Sequence, residues 1–229
     1  CMRVAVLYTG GKDSTFSIYR AIQQGREVVC LVTLRPENQG SFMFHAANID
    51  WVKTLQAKAL GIPMIFKKTK GVKGDDLRDL KAALQTAIKK YKIEGVVFGS
   101  NASEHQRYRI EAACADLGLR TIAPLWHLNP EKYITEFIRE GFEVIFVAIS
   151  AEGLNQDWLG RKYDLQALED LKRLNAKFGV HVGGEGGEFE TFAINGPIFK
   201  KKIEIKDAER IWRDERGIYS IKDAKLVKK

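Results

Sequence analysis

Thr9-Gly10-Gly11-Lys12-Asp13-Ser14 brings together groups suited to holding a polyphosphate. The segment follows a short apolar run and opens a helical pattern. Two glycines permit positive φ and let the backbone approach a ligand closely. The N–H groups at the start of the helix would then point at that ligand, with the positive end of the helix dipole behind them. Thr9, Ser14 and Thr15 add hydroxyl donors, and Lys12 adds a mobile cation. A carboxylate beside a phosphate cradle, here Asp13, makes sense if it shares a Mg²⁺ ion with the phosphates. The spacing is neither Walker A nor the GxGxxG dinucleotide fingerprint. The plainer reading is a strand–helix turn capped by Asp or Ser. A GGKDS turn after a buried first strand is more particular than a cap requires.

A second polar segment, Gly99-Ser100-Asn101-Ala102-Ser103, is followed by His105, Gln106, Arg107 and Arg109. Gly99 allows close approach, Ser100 adds a hydroxyl and Ser103 is placed to cap a helix. Arg107 and Arg109 can meet a phosphate or an activated substrate; a solvated helix face explains them equally well. His45, at the end of Ser41–His45, is the best placed histidine. His127 and His181 are less persuasive, and the four histidines show no metal-ligand spacing.

The third segment is Gly183-Gly184-Glu185-Gly186-Gly187-Glu188-Phe189-Glu190-Thr191. Four glycines and three carboxylates in nine residues exclude a helix or a core strand. A flexible acidic loop is one reading. The other is a rigid backbone site that holds carboxylates against a cation. Acids so concentrated in a chain of net charge +8 favour the second.

These segments need elements to position them. Arg3–Tyr8, Glu27–Leu34, Pro63–Phe66, Gly95–Phe98 and Leu119–Ala123 read as buried strands. Helical patterns separate them: one with Phe16, Tyr19 and Ile22 on a face, one over Ile49–Leu60, one marked by Leu77, Leu80, Leu84, Ala87, Ile88 and Tyr91, and one by Ile110, Ala113, Cys114 and Leu117. Strands apolar on both faces and separated by helices predict a doubly wound parallel sheet of about five strands, with its ligand site at the carboxyl ends. The pattern changes near Pro124. A helix over Tyr133–Arg139, a strand over Phe142–Ala148, a helix marked by Leu165, Leu168, Leu171 and Leu174, and strand-like pieces at Phe189–Ile194, Ile198–Ile205 and Ile218–Ile221 predict a smaller α+β domain. The expected division is into residues 1–124 and 125–229.

The 229-residue chain, 45% hydrophobic and 29% charged, excludes a disordered, collagen-like or coiled-coil protein. Three cysteines without CxxC spacing exclude a disulfide scaffold and a zinc ribbon, and Cys30 and Cys114 read as core. A reducing cytoplasm is the default compartment. Neither a membrane span nor a signal peptide is expected.

The TGGKDS segment resembles the SGGKDS loop of the PP-loop ATP pyrophosphatases, with Thr9 where serine is usual. That resemblance implies an adenine nucleotide α-hydrolase-like fold of strand order 3-2-1-4-5 and cleavage of ATP to AMP and pyrophosphate. The run QRYRIEAACADLGL, then PLW at Pro124–Trp126, then GEGGEFET, then NGPIFKKKI at Asn195–Ile203, in this order, is similar to the diphthine–ammonia ligase family over nearly the whole chain. The resemblance implies an AMP-forming amide ligase with ATP and Mg²⁺ as cofactors and diphthine-bearing elongation factor 2 and ammonium as partners. The diphthine carboxylate would be adenylated and then attacked by ammonia to give diphthamide.

On this reading Lys12, Asp13, Glu188 and Glu190 are the catalytic candidates, and Asp13 is the metal ligand. Thr9, Gly10, Gly11, Lys12, Asp13, Ser14, Thr15, Gly99 and Ser100 hold the nucleotide. His45, Ser103, Arg107, Arg109, Glu185, Glu188, Phe189 and Glu190 face the acceptor. The alternatives are a PP-loop tRNA-modifying enzyme, against which the absence of a CxxC pair counts, and a non-catalytic ATP-binding regulatory module. No membrane partner is expected, tRNA is disfavoured, and a homo-oligomer is left open.

Overall fold

The computed structural model describes residues 1–36, 48–69 and 75–229. In chain order the first elements are β1 (Arg3–Leu7), α1 (Lys12–Gln23), β2 (Glu27–Pro36), α2 (Ile49–Trp51), a π-helical stretch (Val52–Gln56), α3 (Ala57–Leu60) and β3 (Met64–Thr69). Then come α4 (Asp75–Tyr91), β4 (Gly95–Val97), α5 (Glu104–Asp116), β5 (Arg120–Ile122), α6 (Pro130–Arg139) and β6 (Glu143–Ile149). A 3₁₀ turn (Gln156–Trp158), α7 (Leu165–Phe178), β7 (Phe189–Asn195), β8 (Lys202–Arg213) and β9 (Arg216–Val227) complete the chain.

The chain divides into two compact units. The first holds Cys1–Thr9, Asp13–Ile49 and Gly61–His127; the second holds Gly10–Lys12, Asp50–Leu60 and Leu128–Lys229. Two short N-terminal pieces, the glycine turn and most of the α2–α3 helix, therefore belong with the C-terminal elements.

In the first unit, five parallel strands run in the order β3-β2-β1-β4-β5, as the apolar runs predict. Val4, Ala5 and Val6 of β1 are fully buried because helices cover both sheet faces. Leu80, Leu84 and Ala87 of α4 pack with Cys30, Val32, Val96, Ala113 and Cys114 in one cluster. Both cysteines are core residues, and burial pushes each thiol up to about 12, opposed by the Lys90 charge at Cys30 and aided by Glu111 at Cys114. Ile22 departs from expectation. It is 46% exposed, and the buried side of α1 runs instead through Thr15, Ile18 and Ala21.

The strand order reverses between β1 and β4. Val6 pairs with Val97, so the loops leaving these two strands start side by side. A Cβ added at Gly99 would lie 2.9 Å from the carbonyl carbon of Asp13 and from the Ser14 nitrogen. The glycine is what lets the loop after β4 lie against the start of α1.

The second unit carries a four-stranded sheet of order β7-β6-β9-β8, antiparallel throughout. Its centre is Phe146 on β6, whose ring lies 5.1 Å from Trp158, 4.9 Å from Tyr163 and 5.0 Å from Phe189. Asn129 and Asp164 cap α6 and α7 through the Lys132 and Ala167 amides, and Gly179 ends α7 at φ +75°. β8 and β9 are far longer than the expected pieces, and Ile198 precedes the strand. The hairpin turns at Asp214 and Glu215, both with positive φ (48° and 59°), the requirement of a type I′ turn. The Ile49–Leu60 helix is interrupted by the π stretch. It is tied to its own unit by Trp51 Nε1 donating to the Ile221 carbonyl (3.0 Å) and by the Lys200 amide donating to the Ala59 carbonyl (2.7 Å).

Candidate active site

Of the two glycines in the first turn, Gly10 alone takes positive φ, +87°. Its carbonyl accepts the Ala193 amide at 2.9 Å, and the Lys12 amide donates to Thr191 Oγ1 at 3.0 Å. The turn is thus laid along the outer edge of β7. Lys12 was expected to be mobile; it is 5% exposed. Its ammonium donates to the Gly183 carbonyl at 2.5 Å and stands 5.7 Å from the Phe189 ring centre. A carbonyl and an aromatic face replace part of the water the ammonium gives up.

Around the helix start, Thr9 and Ser14 are mutual partners. The Thr9 amide donates to Ser14 Oγ at 3.2 Å, and the two hydroxyls are 3.2 Å apart. Thr9 is exposed and Asp13 half-buried. Thr15, expected to face phosphate, is fully buried with its hydroxyl 3.3 Å from that of Tyr8, so it serves the core instead.

After β4, Ser100 Oγ accepts the Ser103 amide (3.2 Å), and Ser103 Oγ accepts the Gln106 amide (3.4 Å), the cap expected of it. Asn101, buried, donates from Nδ2 to the Leu125 carbonyl (2.6 Å) while its own carbonyl accepts the His127 amide (2.9 Å). This holds Trp126 and His127 in a stack 4.6 Å apart, with His127 at φ +56°. Arg107 lies 4.7 Å from the Trp126 ring centre and donates to Glu111 Oε1 at 2.7 Å. That hydrogen bond holds its guanidinium above the usual arginine range. Trp126 therefore already receives a cation from its own chain. Arg109 is half-buried on the same helix. His45 lies outside the described residues.

The glycine–acid run folds into two consecutive turns, closed by Gly184 N–H to the His181 carbonyl (2.9 Å) and Gly187 N–H to the Gly184 carbonyl (3.1 Å). Gly184 and Gly187 have φ of +71° and +82°. Glu188 fastens both turns: one carboxylate oxygen accepts the His181 amide at 3.1 Å, the other the Gly186 amide at 2.9 Å. The Ser150 hydroxyl and amide bind the carbonyls of Gly187 (2.7 Å) and Glu188 (2.8 Å). Phe189, expected to receive a substrate cation, is 4% exposed and packed on Phe146 and Tyr163; the cation at its ring is Lys12. Glu185 and Glu190 are half-buried. The structure thus brings Lys12 together with Gly183, Phe189 and Thr191. The sequence reading missed Thr191 and Asn101, although Thr191 ends the acidic motif and Asn101 sits in the polar loop after β4.

Two family models match, one described as diphthamide synthase N-terminal domain over residues 2–121, the other as diphthamide synthase C-terminal domain over residues 129–227. A rat protein named diphthine–ammonia ligase is 36% identical over 230 residues, covering 92% of this chain and 85% of the rat protein. The chain belongs to the diphthine–ammonia ligase family. The human ligase is also 36% identical, covering 91% of this chain and 84% of its own length. The fission yeast ligase (Schizosaccharomyces pombe) is 32% identical over 99% of this chain, which spans 40% of that longer protein. As a member of this family the chain is an enzyme, an ATP-using ligase of diphthamide biosynthesis, and the tRNA-modifying and non-catalytic alternatives are not favoured. Among the described residues no helix is long and apolar enough to cross a membrane. None of their side chains forms a cluster of three or more His, Cys, Asp or Glu able to hold a metal.

Proposed function

We propose that this ligase acts on diphthine carried by elongation factor 2. The diphthine carboxylate attacks the α-phosphorus of ATP, and the bond to pyrophosphate breaks. Ammonia then attacks the acyl carbon, AMP leaves with the electron pair of the C–O bond, and the surplus proton passes to a base. Adenylation is needed because a carboxylate has no competent leaving group of its own. The observation that carries the reading is the joining of the two motifs by Lys12, whose amide binds Thr191 and whose ammonium binds the Gly183 carbonyl. A cation fixed between the glycine turn and the acidic run suits a reaction in which charge builds on a leaving pyrophosphate.

In this reading residues 1–124 serve the nucleotide and residues 125–229 the acceptor, and the reaction is cytoplasmic. Asp13 is assigned to Mg²⁺ arriving with ATP; a single carboxylate completed by phosphate oxygens and water is ordinary for that ion. Glu185 and Glu190 are assigned to ammonium and to the trimethylammonium head of diphthine, and Glu188 to holding the turns that carry Glu185 and lead into β7, which carries Glu190. The test is incubation with diphthine-bearing elongation factor 2, ATP and ammonium, with AMP and the amidated peptide both measured. Equal amounts of the two are expected. AMP without amide, or neither product, would overturn the proposal.

A further inference from the structure

Gln56 ends the π-helical stretch Val52–Gln56, and none of its surface reaches solvent. Its Nε2 donates to two carbonyls, those of Gly10 (3.0 Å) and Ala193 (2.8 Å). This pair fixes the orientation of the amide, since a reversed amide would set Oε1 between two carbonyl oxygens. Oε1 is then left buried without a hydrogen-bond partner. It does have a neighbour. A Cβ built on Gly10 would fall 2.4 Å from Oε1 and 2.6 Å from Val52 Cγ2.

An uncompensated buried amide oxygen is costly, because it gives up its water and gains no donor in return. A residue kept at that cost is doing something a leucine at the same place would not do. The π stretch points the same way, because such bulges gather at functional sites. Gln56 meets Gly10 on two sides: the carbonyl is held by Nε2, and the α-carbon is backed by Oε1. Gly10 is the residue at φ +87° from which the Lys12 amide and ammonium are directed toward Thr191 and Gly183.

We infer that Gln56 is the positioning residue of the phosphate loop: it locks the left-handed conformation of Gly10 against β7 and thereby sets where the Lys12 amide and ammonium point. It touches no reacting atom and acts through Gly10. The inference rests on the ligase reading only for what the loop holds; the lock itself belongs to the free protein. It also accounts for Gly10 being glycine twice over, by its φ and by the closeness of Gln56.

Gln56→Met keeps the length and volume and removes the amide. In the free variant, amide exchange at Ala193 should speed up about tenfold, the loss expected of one to two hydrogen bonds, while the Phe146 amide on β6 stays as slow as before. ATP affinity, by calorimetry, should fall about tenfold, with kcat at saturating ATP changed much less. An Ala193 amide and an ATP affinity both unchanged in the folded variant would overturn the inference, as would equal acceleration of exchange across β6 and β7, which marks a merely structural role. If the variant does not fold, the unmutated protein decides. The Gln56 side-chain amide protons should exchange slowly and their resonances should move when ATP is added; fast exchange or unmoved resonances would overturn the lock. Failure to form amide with normal ATP binding would refute the ligase reading and leave Gln56 standing.

Discussion

The two glycine-rich segments use glycine for opposite ends. In the turn after β1, Gly10 is held from outside: Ala193 and Gln56 grip its carbonyl, and Thr191 takes the neighbouring Lys12 amide. The run before β7 is held largely from inside. Two of its own turns follow one another, and the Glu188 carboxylate at its end closes them onto the His181 and Gly186 amides. The first segment is a tool gripped by the sheet edge; the second is a rigid piece presented by it. Lys12 is the link, and its ammonium is the group that both segments share.

Breaking the link should have the largest effect. Lys12→Met fills the space but removes the cation, and AMP formation should fall at least about a hundredfold, the scale of losing one donor aimed at developing charge. Melting temperature should drop only modestly. AMP formation within a few-fold of the unmutated ligase would break the comparison, because the two segments would then not act through Lys12.

A close second is Gly99→Ala. Its Cβ would lie 2.9 Å from the backbone of Asp13 and Ser14, and backbone cannot swing aside as a flexible side chain can. A loss of about 1–3 kcal/mol is expected from the overpacking, read by denaturant unfolding, together with weaker ATP binding. Unchanged stability would mean that the loop after β4 can retreat from the start of α1.

Glu188 and Glu190 sharpen the contrast between holding and presenting. Glu188→Gln loses one of two amide contacts, because its new –NH₂ faces an N–H donor. It should lower stability by about 1–2 kcal/mol and speed exchange at the Gly186 amide. Glu190→Gln should leave exchange at the Gly186 amide as it was and lower amidation at fixed ATP. If the two variants behave alike in both measurements, the separation of roles is wrong.

How much of this was legible depends on what each residue faces. The parallel sheet was readable because strands buried on both faces become continuous Val- and Leu-rich runs. The β8–β9 hairpin was not. Lys206, Asp207, Glu209 and Arg210 are exposed, and the alternation they impose looks like a solvated loop until it is paired. Its turn also lacks glycine, so Asp214 and Glu215 gave no sign of positive φ. At the site, the loop chemistry of Gly10, Gly99 and Ser103 was readable from residue type. The destination of Lys12 was not, since Gly183 lies 171 residues away and contributes only a carbonyl. Phe189 and Thr15 were misplaced for a related reason: an aromatic ring or a hydroxyl in a motif does not announce whether it faces ligand or core. Gln56 did leave a trace, a polar residue four after Val52 on an otherwise apolar helix face.

The smallest expected effect is a control on the Glu188 result, from a carboxylate in the same unit held by side-chain rather than backbone donors, two of them lysines. Glu143 receives Lys162 at 2.7 Å, Asn195 at 2.8 Å and Lys202 at 3.2 Å. Burial alone would push its carboxyl up; these three hydrogen bonds overcome that and hold it down at about 2. The folded value thus lies below the roughly 4.3 of an unfolded glutamate. The stability it contributes is fully present above about pH 4.3 and is lost as the pH falls toward 2, where the folded carboxylate takes up its proton. Its partners are part-exposed lysines, so the contribution at neutral pH is about 1 kcal/mol. Glu143→Gln should therefore melt below the unmutated ligase at pH 7, and the gap should close as both are titrated toward pH 2. A gap that stays constant would show that Glu143 acts by shape alone. The acid sensitivity of this sheet would then owe nothing to the ion pairs, and any fall seen in Glu188→Gln could be read without correcting for them.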